Sequence, residues 1–196
     1  MKLPMLYLLR HGQTEWNAAG RFQGHKNSDL TKLGRGHAAT QGRLLKPVFQ
    51  QYPDIDIHAS PLGRVSETAS IALTDHGGKP VLSDDLKEVT VGDWEGIPKH
   101  EIESGWPELF NACQTSTELS LLAPNGENYD DMHERCHRFL NSLTGPAVVF
   151  SHGITIAFLR KISCDLSFEA FTQLSNLQGC IYVIKDGQET LLNEVK

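Results

Sequence analysis

Apolar positions along the chain alternate between short dense runs and longer stretches in which they recur every three or four residues. The runs MLYLL (5–9), IDIHAS (55–60) and AVVFSH (147–152) are too short for helices and rich in branched or aromatic side chains. They predict buried strands. CIYVIK (180–185) and ETLLNEV (189–195) flank an Asp-Gly-Gln link and predict a closing hairpin. Helical spacing marks residues 30–52, capped at Thr31 and ended before Pro53, and residues 61–77, with Pro61 at the start and Gly77 at the end. It also marks 126–143, acidic early and stopped by Gly145, and 153–163 directly after the third run. Strands alternating with helices predict an α/β fold built from crossover units around a mainly parallel, helix-covered sheet.

The stretch from about 92 to 125 breaks this rhythm. It is rich in Gly, Pro, Ser and Thr, carries Trp94 and Trp106, and holds no sustained period. It is expected to be an inserted flap of loops and short helices within a single 1–196 domain. No internal repeat interrupts the pattern.

Bulk properties narrow the function classes. A chain of 196 residues has ample length for one core, and 39% apolar with 21% charged residues is a globular composition. A formal net charge of −6 argues against nucleic acid as a partner, which calls for a basic surface. No run is long enough to span a membrane, and the N-terminal apolar run stops at Arg10, too early for a secretory signal. Cys113, Cys136, Cys164 and Cys180 are widely spaced with no CxxC, so reduced thiols in a cytoplasmic setting are expected. Nothing in the pattern specifies an oligomeric state.

The chemistry gathers where the three apolar runs end. Arg10 and His11 follow the first, Ser60 follows the second with Arg64 close behind, and Ser151 and His152 follow the third. In open parallel sheets ligands bind outside the carboxyl ends of the strands, beside helix N-termini that attract anions. Alone, each of these residues reads as a solvated charge, a cap or a turn. Together they bring two arginines and two histidines to one crevice in an acidic protein. Guanidinium groups match phosphate oxygens in bidentate fashion, and a neutral histidine nitrogen is a nucleophile. Neither a Walker A nor a GxGxxG segment is present to hold a nucleotide. The set points to metal-free phosphoryl transfer through a histidine. An acid on the far side must protonate the departing alcohol. Asp84, Asp85, Glu88, Asp93 and Glu95 are all available, and the pattern alone does not choose among them.

The segments LLRHGQTEWN, GRFQGHKNSDLTKLG, ASPLGRVSETA, LKEVTVGDWEG, PNGENYDDMHER and VVFSHG resemble, in that order, those of the histidine phosphatase superfamily, also called phosphoglycerate-mutase-like. The resemblance implies a three-layer α/β/α sandwich whose mostly parallel sheet has one antiparallel strand. It implies transient phosphorylation of His11 by a small phosphate monoester, with no metal or organic cofactor, and a phosphate pocket lined by Arg10, Arg64 and His152. Asn17 would add a donor, Gln23 and Gly24 would border the phosphate, and Glu88 would be the proton donor. In this reading Gly12 leaves room for the phosphate against the backbone. His25, next to the Gln-Gly pair, would lie near the pocket mouth, and Trp94 and Trp106 would either line the substrate side or pack the flap down.

Two alternatives compete. Phosphoglycerate mutases resemble the chain at the same motifs but are longer and carry a basic ERRHYG-like segment after the proton donor. Here EVTVGDWEGIPKH offers only Lys99 and His100, which favours a phosphomonoesterase over a mutase. Phosphatases of sugar phosphates, phosphoserine or α-ribazole phosphate share the short layout. Separately, His133-Glu134-Arg135-Cys136-His137 satisfies HExxH, the zinc pattern of peptidases. Leu140 stands where the longer zinc motif wants glycine, and Glu169 is the sole loose candidate for a third ligand, so a solvated helix face is the expected reading. A non-catalytic binding module is disfavoured because every matched position is present.

Overall fold

Leu6–Arg10 forms β1, the central mount of a six-stranded sheet ordered β3-β2-β4-β1-β5-β6, in a computed structural model that describes residues 3–194. The strands are Asp56–Ala59 (β2), Val81–Leu82 (β3), Ala147–Ser151 (β4), Ile181–Lys185 (β5) and Gln188–Leu192 (β6). β1, β2, β3 and β4 pair in parallel, while β5 runs antiparallel to both β1 and β6. The expected mostly parallel sheet with one reversed strand is therefore present. The hairpin turns at Asp186 and Gly187, both at positive φ, which suits the right-handed twist of its strands. The expected second hairpin strand extended to Val195, which lies outside the described residues, as do Met1, Lys2 and Lys196. β3 was not anticipated, because two residues carry no alternation to read.

Burial explains why β1 and β4 are continuous apolar runs. Leu6 and Leu8 join Ala147 and Val149 in the core on one face, and Tyr7 and Leu9 join Val148 and Phe150 on the other. A strand covered on both faces has no polar side to alternate with. Lys32–Gln51 (α2) and Gly63–Ala72 (α3) cover the second face. Tyr129–Ser142 (α7) and Gly153–Cys164 (α8) cover the first, so the layers are helix, sheet, helix. Thr31 caps α2 through Gly34 N at 3.0 Å, and Asn128 caps α7 in a reciprocal box with Asp131.

The remaining helices are short. Glu15–Ala18 (α1) follows β1, and Phe168–Thr172 (α9) follows α8. The 92–125 stretch holds a turn of 3₁₀ helix at Gly92–Trp94, then Lys99–Gly105 (α4), Pro107–Ala112 (α5) and Ser116–Leu121 (α6). Trp94 is fully buried, edge-on to Phe22 and Trp106, so it anchors this stretch to the core rather than facing ligand. Among the described residues no helix is long and apolar enough to cross a membrane.

Candidate active site

The carboxyl ends of β1, β2 and β4 meet at one cavity of about 90 Å³, on the scale of a single phosphoryl group. Arg10, His11, Asn17, Gln23, Gly24, Arg64 and Glu88 all line it. These are seven of the eight residues expected at the site. The eighth, His152, is fully buried behind the wall and meets the cavity through its neighbours.

His11 is 3% exposed, and its backbone N–H donates to Ser151 O, which locks the end of β1 to β4. Its Nδ1 lies 2.8 Å from Gly12 O. A carbonyl only accepts, so Nδ1 carries the proton and Nε2 keeps its lone pair. Burial, and then the charges of Arg10 and Arg64, hold the ring well below the ordinary histidine pKa. It is therefore a neutral imidazole set between two cations.

His152 is fixed from both sides. Arg64 Nε donates to its Nδ1 at 3.2 Å, so its own Nε2–H donates to Ser60 Oγ at 2.8 Å. Burial, followed by Arg64, His11 and Arg10, lowers its pKa well below the usual value. Its ring stands edge-on to His11 at 5.3 Å between centroids.

Arg64 is 1% exposed and clamps the loop above it. Nη1 donates to Lys26 O and Nη2 to Gly24 O, each at 2.8 Å. Of the five guanidinium donors, two remain for an anion. Burial draws its pKa down to about 10, with Glu88 opposing that shift. Arg10 donates through Nη1 to Asn176 O, while its Nε is buried with no partner. So deeply buried a guanidinium nitrogen without a partner is unusual, since buried polar groups are nearly always hydrogen-bonded.

Glu88 comes from the loop before the 3₁₀ turn and caps α8 from outside. Oε2 accepts from Ile154 N at 3.3 Å, and Oε1 accepts from Thr155 N at 3.2 Å and from Val89 N at 3.0 Å. The orphan amides and positive end of α8 thus steady the carboxyl group.

Asn17 Oδ1 accepts from Thr14 N at 3.2 Å and from Gln178 Nε2 at 3.3 Å, leaving its Nδ2 donor for the cavity. Gln23 donates through Nε2 to Thr14 Oγ1 at 2.7 Å. Gly24 sits at φ +53°, a left-handed conformation that glycine adopts without strain, and its bare Cα lets the Glu95 carboxylate close in beside it. Gly12 has a different reason from the one expected. A Cβ on it would meet Gly34 O at 2.1 Å, so its bareness admits the N-terminal turn of α2 rather than a phosphate.

Several contributors escaped sequence reasoning. Gln178 and Asn176 arrive on a polar loop with no motif, and Thr155, whose amide holds Glu88, reads as an ordinary helix residue. His25 is exposed and donates through Nε2 to Glu88 O at 2.9 Å, tying the 23–27 loop to the acid. The HExxH pair lies on α7, with the His133 and His137 rings stacked at 6.1 Å and Glu134 facing Arg138. Among the described residues no three His, Cys, Asp or Glu side chains converge as metal ligands.

Comparison with known proteins agrees with this geometry. A glucosyl-3-phosphoglycerate phosphatase of Mycolicibacterium vanbaalenii is 32% identical over 197 residues, covering 93% of this chain and 84% of that protein. A probable phosphoglycerate mutase of Yersinia pestis is 30% identical, covering 94% and 86%. The crystal structure of a putative α-ribazole-5′-phosphate phosphatase of Escherichia coli superposes with a TM-score of 0.79 at 26% identity, covering 98% and 97%. The family model described as histidine phosphatase superfamily, branch 1, matches residues 6–193, and the chain belongs to that superfamily.

Proposed function

We propose that the chain is a phosphomonoesterase that removes the phosphoryl group of a small metabolite through a phosphohistidine at His11. One observation carries the reading: Nδ1–H is committed to Gly12 O, which leaves a neutral Nε2 lone pair between two guanidinium groups. Attack by Nε2 on phosphorus forms the N–P bond as the ester P–O bond breaks. Protonated Glu88 gives its proton to the departing oxygen. Water then attacks the phosphohistidine and returns a proton to Glu88, the N–P bond breaks, and inorganic phosphate leaves. Arg10, Arg64 and the Asn17 amide hold the equatorial oxygens, the task that dominates phosphoryl transfer. His152 keeps Arg64 aimed. In this scheme the guanidinium pair supplies the charge that a metal would otherwise bring.

The cavity widens outward into a compartment of about 330 Å³, bordered by Arg21, Lys99, Ser116, Thr117 and Ser120. Among the described residues neither Arg21 nor Lys99 forms an ion pair with an acid. These groups suit a leaving alcohol that is hydroxylated and carries a second negative charge. The name of the mycobacterial relative, a glucosyl-3-phosphoglycerate phosphatase, describes a substrate of that kind. The mutase reading has less support, because Val89 and Val91, in the stretch after Glu88, line the inner cavity, and from that stretch Lys99 alone brings a positive charge to the outer one.

The test is hydrolysis of p-nitrophenyl phosphate and a panel of phosphorylated sugars and sugar acids in excess chelator. Turnover of the phosphate esters is expected. Activity seen only with phosphoglycerate in the presence of bisphosphoglycerate would overturn the reading.

A further inference from the structure

Gln178 stands outside every motif that carries the family resemblance, yet its side chain touches two members of the phosphate site. Nε2 donates to His11 O at 3.0 Å and to Asn17 Oδ1 at 3.3 Å, which uses both hydrogens of one amide nitrogen. We propose that Gln178 is the positioning residue that aims Asn17 at the substrate phosphate, an inference that rests on the phosphatase reading above.

The two ends of the Asn17 amide compete to face the cavity. They are nearly equal in shape but opposite in effect, since NH₂ attracts a phosphate dianion and the carbonyl oxygen repels it. What decides which end faces the cavity is the set of donors holding the oxygen. Asn17 Oδ1 has two such donors. One is Thr14 N at 3.2 Å, the capping residue of a helix of only four residues. So short a helix has few bonds of its own to resist fraying. The other is Gln178, from a separate element.

That element is fastened independently of the site. Tyr182 OH donates to Ser175 O at 2.8 Å and accepts from Leu177 N at 2.7 Å. Arg160 Nη1 donates to the same Ser175 O at 2.7 Å, and the buried guanidinium is held by Glu189 at 2.6 and 2.7 Å and lies over the Tyr182 ring. The loop is thus anchored to α8, β5 and β6. From it Gln178 orients Asn17, and Asn176 O receives Arg10 Nη1. The same short segment therefore sets the direction of two phosphate-facing donors.

The experiment is a double-mutant cycle on Asn17→Ala and Gln178→Met, read by calorimetric binding of inorganic phosphate and by KM for p-nitrophenyl phosphate. Methionine keeps the bulk of the side chain and removes its donors. Gln178→Met is expected to weaken phosphate about tenfold in the otherwise native chain, as the loss of one hydrogen bond to a charged ligand would. In the Asn17→Ala background the same change is expected to matter less than about twofold, since coupled residues do not add. Full additivity, or native affinity in Gln178→Met, overturns the proposal. Gln178→Ala serves as a second variant and is expected to match Gln178→Met, and its recovery by bulk alone would likewise overturn it. Turnover by the unaltered chain tests the functional reading separately. A chain that binds phosphate non-additively but hydrolyses no ester keeps the positioning role and loses the phosphatase reading, whereas a chain that binds no phosphate loses both.

Discussion

Arg64 and His152 define each other: the 3.2 Å bond from Arg64 Nε to His152 Nδ1 fixes the tautomer of the ring and the plane of the guanidinium together. Because an arginine stays charged and can only donate, the ring must accept, which commits its other nitrogen to Ser60. His152→Ala should free Arg64 to follow its remaining partners, Lys26 O and Gly24 O, away from the phosphate. The expected loss in kcat/KM is about 10²- to 10³-fold, the usual effect of misplacing one donor to a developing charge. Steady-state kinetics with p-nitrophenyl phosphate would check it, and a loss below threefold would remove His152 from the site.

Arg64→Lys separates charge from geometry. Lysine keeps the cation but has a single nitrogen, whereas Arg64 uses three nitrogens on three partners. The variant should lose about 10²-fold or more in kcat/KM and should also be less stable by about 1–3 kcal/mol, since the buried Gly24 carbonyl and the half-buried Lys26 carbonyl lose their donor. Chemical denaturation beside kinetics tests both halves. Native stability with reduced activity would show that the loop does not depend on the clamp.

The layered fold was legible in the sequence because β1 and β4, buried on both faces, read as unbroken apolar runs ending in charge. The same ends displayed Arg10, His11 and His152, since a cationic or titratable group directly after a buried strand is conspicuous, and Arg64 stood out in the first turn of the helix after β2. Glu88 was not distinguishable from its acidic neighbours by pattern alone. What singles it out is the set of amide donors at the start of α8, a contact 66 residues away in the chain. Gln178 was hidden for the same reason: its two partners lie 167 and 161 residues distant, and nothing local marks it. Gly12 was visible as a glycine but its cause was not, because the crowding atom belongs to Gly34. Periodicity reports burial, and burial alone does not reveal which distant group a polar side chain meets.

Glu88→Gln should show its role through the leaving group. An amide cannot deliver the proton that an alkoxide needs, so kcat/KM for alkyl phosphates, which reports formation of the phosphohistidine, should drop by about 10²- to 10⁴-fold. p-Nitrophenolate departs well without a proton, so the drop for p-nitrophenyl phosphate should be much smaller. Equal losses on both substrates would show instead that the carboxylate matters for capping α8 through Ile154 and Thr155.

The two buried histidines should leave a signature in stability against pH. Burial first, and then the neighbouring arginines, hold His11 and His152 well below the ordinary value, so both stay neutral in the folded chain. In the unfolded chain they take up protons below about pH 6.5. Between that value and the depressed folded pKa the unfolded state binds more protons, so stability must fall as pH falls through this window. Each histidine adds a slope approaching about 1.4 kcal/mol per pH unit once the unfolded form is fully protonated. Above about pH 7 neither contributes a dependence. Urea denaturation from pH 7.5 to 5 should therefore show a steep acid decline in the native chain. His152→Gln should flatten that decline by one histidine's share, because glutamine takes up no proton in either state. An unchanged slope would mean that His152 is protonated in the fold, and the neutral tautomer that receives Arg64 would then be wrong.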